Sequence, residues 1–276
     1  MVKIAGVNVA KANIIETEGM GMKKWIAMAL ALCMCVFGTV IASAQNEPLV
    51  PILLYHNIAE QYPMNDAALH ITPEQFYAHM DAVKGAGYQT VTLSEFYEYC
   101  KGNGTLPENP IIITFDDGYQ SNYDYAYPYL TQMGMRATIF VITERMGDHT
   151  VTYPHFDWNA ANEMQASGVI EIQCHSHTHP NFSTLTKEQT IREMRLSRFL
   201  IEQNMGIACR FFAYPYGIEN EYSTKAAVDA GYTVVNMVGD RGANSRYTDL
   251  LHLRRLTVPG DMTAEELLSY IEQNKY

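Results

Sequence analysis

A parallel α/β barrel is the fold class this sequence predicts, on three observations. From Pro51 onward, short β-branched or apolar runs alternate with amphipathic segments, the pattern of repeated βα units around a parallel sheet. There are eight such runs, a number that suits a closed or nearly closed barrel. The polar residues with chemistry in them fall after the ends of different runs: His56, Asp116 and Asp117, His175 to His179, and Tyr214 to Gly217. In a parallel barrel those positions converge on the carboxyl-terminal rim, where catalytic groups collect.

In chain order the expected strands are 52–55, 89–93, 111–115, 137–142, 169–174, 207–213, 233–237 and 255–258. Helix starts are spelled by Thr72-Pro73-Glu74-Gln75, Thr186-Lys187-Glu188-Gln189 and Thr263-Ala264-Glu265-Glu266. Each places a Thr N-cap three residues before a Glu or Gln that can bond back to it. Gly134, Gly168, Gly206 and Gly231 supply the stops. The Tyr-rich stretch 123–129 is helix packing on this reading, and no internal repeat or low-complexity tract stands out.

The 276 residues, 47% of them hydrophobic, fit one domain with a sizeable core. A formal charge of -11 argues against a nucleic-acid partner, since no Lys/Arg block offsets it. Lys23-Lys24, the apolar stretch Trp25 to Ile41, and Ala42-Ser43-Ala44 have the charged, apolar and small-residue regions of a secretory signal. Residues 22–44 are therefore expected to be removed, leaving a mature chain, 45–276, that is exported, monomeric and without a stable membrane anchor. A retained anchor is the competing reading, because an apolar run of roughly 17 residues lies at the short end of spanning length, and Ala42-Ser43-Ala44 tips the reading toward cleavage. Residues 1–21 precede a second start at Met22 and are set aside as a start-site artefact. Cys33 and Cys35 leave with the signal, and Cys100, Cys174 and Cys209 allow at most one bridge. Cys174 and Cys209 are either a pair or two buried thiols.

Thr114-Phe115-Asp116-Asp117-Gly118 follows the apolar run Ile111-Ile112-Ile113, and His175-Ser176-His177-Thr178-His179 closes another strand. Adjacent carboxylates at a strand end can split the work, one taking a metal and the other a proton. A catalytic divalent ion wants about three protein ligands and an open position, and Asp plus two His meets that count. Spacing does not choose the histidines: 175 and 179 can face one another across a turn, and 175 and 177 would share a face if the strand continued. His70, His79, His149 and His155 read as surface residues.

On these motifs the chain resembles the polysaccharide deacetylase family, the carbohydrate esterases with a NodB-homology domain, from about Pro51 to the C-terminus. That resemblance implies a distorted (β/α) barrel with seven or eight parallel strands, Asp116 as catalytic base, Asp117, His175 and His179 as metal ligands, and His177 as a bystander. It further implies the Tyr216 backbone N–H as oxyanion donor, from Pro215-Tyr216-Gly217, and His252 as general acid, from Leu250-Leu251-His252. Trp158 looks like the family's pocket-wall tryptophan, and His56, Tyr214 and Pro215 are expected substrate contacts. Many members carry an Arg two residues before the Pro of P-Y-G to orient the catalytic Asp. Here that position is Ala213, and Arg210 is the candidate substitute.

The implied activity is metal-dependent removal of N-acetyl groups from an N-acetylglucosamine-containing polysaccharide, with one divalent ion, zinc expected and other ions open. Leu54-Tyr55-His56 and Phe212 to Gly217 look most like the exported branch acting on poly-N-acetylglucosamine. An O-acetyl esterase on xylan-like glycans and a non-catalytic carbohydrate-binding barrel are the alternatives.

Overall fold

The computed structural model describes residues 47–63, 67–239 and 242–275, so the signal reading for 22–44 lies outside the described residues. Seven strands form one curved sheet in the order β10-β1-β5-β6-β7-β8-β9. They are β1 (Ile52–Tyr55), β5 (Pro110–Phe115), β6 (Ala137–Val141), β7 (Ile170–Cys174), β8 (Phe211–Ala213), β9 (Val234–Asn236) and β10 (Leu256–Thr257). An eighth, β4 (Gln89–Thr90), pairs with the amino-terminal end of β5. Every pairing in this sheet is parallel. A parallel bridge between Asn236 and Leu253 joins β9 to the chain entering β10, so the ring is nearly closed. This is the distorted barrel expected from the sequence. A further parallel pair, β2 (Asn57–Ile58) with β3 (His70–Ile71), was not foreseen.

Strand parity sorts the core into two layers. Leu53, Ile113, Phe115, Ile139 and Val141 belong to a large outer cluster shared with Phe76 and Met80 of α1 (Pro73–Gly85) and Met194 of α5 (Lys187–Met205). Their alternates Ile52, Ile112, Phe140, Phe211 and Leu253 form an inner cluster with Leu93, Phe96 and Tyr99 of α2 (Leu93–Cys100). Burial on both faces is why β5 reads as a continuous apolar run rather than an alternating one.

Several strands lose a residue or two at their ends, and two lose three or more for local reasons. The run 89–93 stops at Thr90 because Thr92 caps α2: its hydroxyl accepts the Glu95 N–H at 3.1 Å and the Glu95 carboxylate accepts the Thr92 N–H at 2.9 Å. The run 207–213 is a strand only from Phe211. The Gln173 side-chain oxygen takes the N–H groups of Arg210 and Phe211, at 3.1 and 2.9 Å, in place of a ladder partner. Cys174 and Cys209 are both fully buried free thiols, with the Cys174 thiol donating to Ser197 Oγ at 2.9 Å.

Candidate active site

Asp116 lies two residues beyond Thr114 on β5, with the inward parity of Ile112, so its carboxylate enters the barrel mouth. Strand parity would send Asp117 outward. Left-handed backbone at Asp117 (φ 74°) ends the strand and leaves its side chain on the same cavity as that of Asp116. Among the described residues four non-glycines have positive φ: Asp117, Ser176, His179 and Tyr216. All lie in the three motifs, and each such conformation costs on the order of 1–3 kcal/mol that the surrounding packing must offset. Gly217 is equally constrained: at φ 67°, an added Cβ would stand 2.7 Å from Val238 N.

The turn after β7 decides between the histidines. Glu193 of α5 accepts the N–H groups of His177 and Thr178, both at 2.9 Å, and the Ser176 hydroxyl accepts that of His179 at 3.0 Å. The turn so held brings His175 and His179 together, their rings 4.9 Å apart, and leaves His177 paired through Nδ1 with Thr143 Oγ1. His175 Nδ1 donates to the Ala213 carbonyl at 2.8 Å, which aims Nε2 at the carboxylates.

Asp117 Oδ1 lies 3.5 Å from His175 Nε2 and 3.4 Å from His179 Nε2. Tetrahedral ligation at zinc-like bond lengths puts ligand atoms about 3.3 Å apart, and Asp117 Oδ1 is buried with no hydrogen-bond partner. The three side chains therefore fit one divalent ion, and they form the single such cluster among the described residues.

The sequence reading missed the partner of Asp116. Arg255, fully buried, forks onto it with Nη1–Oδ1 at 2.7 Å and Nη2–Oδ2 at 2.8 Å. Its Nε donates to the Met237 carbonyl at 2.9 Å, and its guanidinium lies over Phe140, 5.5 Å from the ring centroid. Arg210, the expected substitute, does not take that place. Parity explains the choice: Arg255 shares the inward face of Leu253 and Thr257, with only β1 between its strand and that of Asp116. The signal in the sequence was an arginine at an inward strand position, which must find an anion inside the barrel.

Burial alone would raise the pKa of Asp116, but the Arg255 guanidinium overrides it and holds the carboxyl well below the usual range. Asp117 is pushed up by burial and by Asp116, with His56 opposing. Burial drives His175 down to about 3 and lowers His179 as well. His175 is thus neutral at ordinary pH, as a metal-ligating imidazole must be, and Arg255 supplies the positive charge beside Asp116.

These groups line a cavity of about 710 Å³ with His56, Tyr119, Tyr153, His155 and Tyr216. Tyr216 is 60% exposed and packs edge-on to His179, with centroids 4.7 Å apart. His155 is a correction: it is buried rather than superficial, stacked on Tyr119 at 5.0 Å, and burial lowers its pKa to about 4. No local signal marks it, because its place depends on an antiparallel bridge to Tyr119. His70 and His79 are buried too, His79 between the Tyr55 hydroxyl and the Met262 carbonyl.

Other expected site residues do not reach the cavity. Tyr214 is buried against Phe182 and Phe212, and Pro215 is buried beside it. Trp158, the first residue of α4 (Trp158–Ala166), packs on the outer core. His252 lines a separate depression, with Nδ1 bonded to Asp249 at 2.8 Å and Nε2 3.5 Å from Glu219.

A near-closed parallel barrel with an Asp/His/His cluster beside an arginine-clamped carboxylate at its carboxyl-terminal mouth defines a hydrolase of the carbohydrate deacetylase class. The polysaccharide deacetylase family model matches residues 103–235. YxkH of Bacillus subtilis, assigned to the polysaccharide deacetylases, is 34% identical over 226 residues, covering 82% of this chain and 77% of that protein. The chain belongs to the polysaccharide deacetylase family. The poly-β-1,6-N-acetyl-D-glucosamine N-deacetylase of Staphylococcus epidermidis is 26% identical over 208 residues, covering 66% of this chain and 71% of that protein. Among solved structures, the Streptococcus pyogenes deacetylase PplD in complex with acetate superposes with a TM-score of 0.73 at 25% identity, covering 82% of this chain and 99% of that one.

Proposed function

We propose that this deacetylase is metal-dependent and removes N-acetyl groups from an N-acetylglucosamine-containing polysaccharide, releasing acetate. The observation that carries the proposal is the Asp117/His175/His179 cluster beside a buried, ionised Asp116 in one cavity. The 26% identity to the Staphylococcus epidermidis enzyme supports the polymer class.

Asp117, His175 and His179 would hold one divalent ion, with zinc the expected choice. When bound, such an ion supplies Lewis-acid polarisation of the acetamide carbonyl and of water. Asp116, ionised through Arg255, takes the water proton as general base. The Tyr216 N–H, on a backbone fixed by the left-handed turn into Gly217, donates to the oxygen where negative charge develops. The departing nitrogen needs a proton, and among cavity-lining imidazoles outside the ligand set there are two, His56 and His155. Burial keeps His155 neutral. His56, directly after β1, lines the same cavity as Asp116 and Asp117. We assign the general acid to His56 rather than His252.

The test is acetate release by residues 45–276, zinc-supplemented against chelated, on N-acetylglucosamine oligomers, peptidoglycan and acetylxylan. Chelator-sensitive release from the N-acetylated substrates alone is expected. Release from acetylxylan alone would replace the amidase with an esterase, and chelator-insensitive release would overturn metal dependence. Export, to the periplasm or beyond the cell, after cleavage at Ala44 belongs to the same proposal; protein recovered from the periplasm or the culture medium should have the mass of a chain starting at Gln45, and a mass retaining 22–44 would refute it.

A further inference from the structure

The reaction cavity has a neighbour behind its aromatic wall. Tyr153 lines the catalytic cavity on one side and a second cavity of about 260 Å³ on the other. Consecutive residues divide between the two: His56 and Tyr119 face the first, Asn57 and Gln120 the second. Tyr153 is held as the partition by ring contacts to His70 at 4.6 Å and, edge-on, to Tyr119 at 6.5 Å. A half-buried tyrosine between two cavities offers an apolar ring face with a polar tip, a surface suited to the C–H face of a sugar.

The second cavity has its own chemistry. Glu60 and Asp124 lie in its wall, and among the described residues no lysine, arginine or histidine does. Each carboxylate is met by a neutral donor, Glu60 by the Tyr125 hydroxyl at 3.2 Å and Asp124 by the Gln120 amide at 2.9 Å. Two solvated carboxylates alone would be ordinary surface. Here they stand in a concave space that opens across one aromatic ring from the reaction centre and has room for about one pyranose. A polymer whose reacting unit lies over Asp116 and Asp117 can place an adjoining unit across this wall.

We propose that the cavity behind Tyr153 is a subsite for the sugar next to the one being deacetylated, and that it prefers that neighbour as free glucosamine, whose ammonium group meets Glu60 and Asp124. This rests on the reading of the substrate as an N-acetylhexosamine polymer. The consequence is directional: each amine released makes the adjoining unit a better substrate, so acetate removal spreads along a chain in blocks. Tyr153 is then a substrate-positioning residue, and Glu60 and Asp124 set the preference for the neighbour.

The test uses protein carrying Asp116→Asn to stop turnover, titrated with N-acetylglucosamine tetramers, β-1,6 and β-1,4 linked, each fully acetylated or carrying one glucosamine. Exposed ion pairs of this kind imply about fivefold tighter binding of the glucosamine-bearing tetramer at low salt, lost in about 0.5 M salt and in Glu60→Gln/Asp124→Asn. Tyr153→Ala should weaken both tetramers alike. In the active protein, Glu60→Gln/Asp124→Asn should keep kcat on the fully acetylated tetramer and raise KM only for the mixed one. Equal affinity for the two tetramers, or a preference that survives loss of both charges, overturns the subsite while acetate release still upholds the reading of function. Binding of neither tetramer, with no acetate released from either, overturns both.

Discussion

Replacing Arg255 with methionine should disable the base without touching the metal ligands. Arg255 is fully buried and makes two charge-assisted bonds to Asp116, at 2.7 and 2.8 Å, plus one to the Met237 carbonyl. Removing one partner of a buried pair leaves the other charge uncompensated, a loss of about 3–5 kcal/mol. Asp116 escapes part of that loss by taking up a proton, since burial, no longer opposed by the guanidinium, then sets its pKa. The acid limb of the pH–rate profile should rise by about 1–3 pH units. Arg255→Lys keeps the charge but not the planar fork, so it should recover part of the stability and less of the rate. The assay pairs acetate release from pH 4 to 9 with urea denaturation of the single variants and of Arg255→Met/Asp116→Asn. The double variant should be more stable than the sum of the single losses predicts. An Arg255→Met protein with the parent acid limb and denaturation midpoint would refute the clamp.

Three shorter predictions follow from the same geometry. Gly217→Ala puts a methyl 2.7 Å from Val238 N on left-handed backbone, so chemical denaturation should show a loss of about 2 kcal/mol or more, with kcat falling as Tyr216 moves; a change under about 0.5 kcal/mol would contradict it. His56→Ala should lower kcat on acetamide substrates by about a hundredfold, and His252→Ala should leave it nearly unchanged; the reverse order would return the acid role to His252. Metal-free protein should lose stability between pH 8 and 5. His175 and His155 have folded pKa values lowered by burial to about 3 and about 4 from 6.5, so the unfolded chain binds more protons below 6.5. Stability then falls with pH by up to about 1.4 kcal/mol per unit for each histidine. Asp116 adds nothing in that window, because its own loss begins only below the ordinary carboxylate pKa. Equal denaturation midpoints at pH 8 and 5 would count against buried neutral histidines.

The sequence by itself determined the barrel, because parallel strands covered on both faces need continuous apolar runs, and runs such as 111–115 and 137–141 have no other use for that composition. It also marked Asp116, Asp117 and the histidines of 175–179, but spacing left His177 and His179 both open as partners of His175, and the turn held by Glu193 and Ser176 is what brings His175 and His179 together. What it could not determine were partners set by parity and distance around the ring. Arg255 reaches Asp116 from 139 residues away, and only strand order with inward parity says which arginine is inside. Tyr153 and His155 enter the cavity through a bridge between two loops, which no periodicity records. His252 matched a motif yet lines a separate depression, its ring facing Asp249 and Glu219 rather than the carboxylates of the site. Local patterns record what a residue's neighbours along the chain require. Which buried charges meet, and which ring divides two cavities, is decided only when the ring of strands nearly closes.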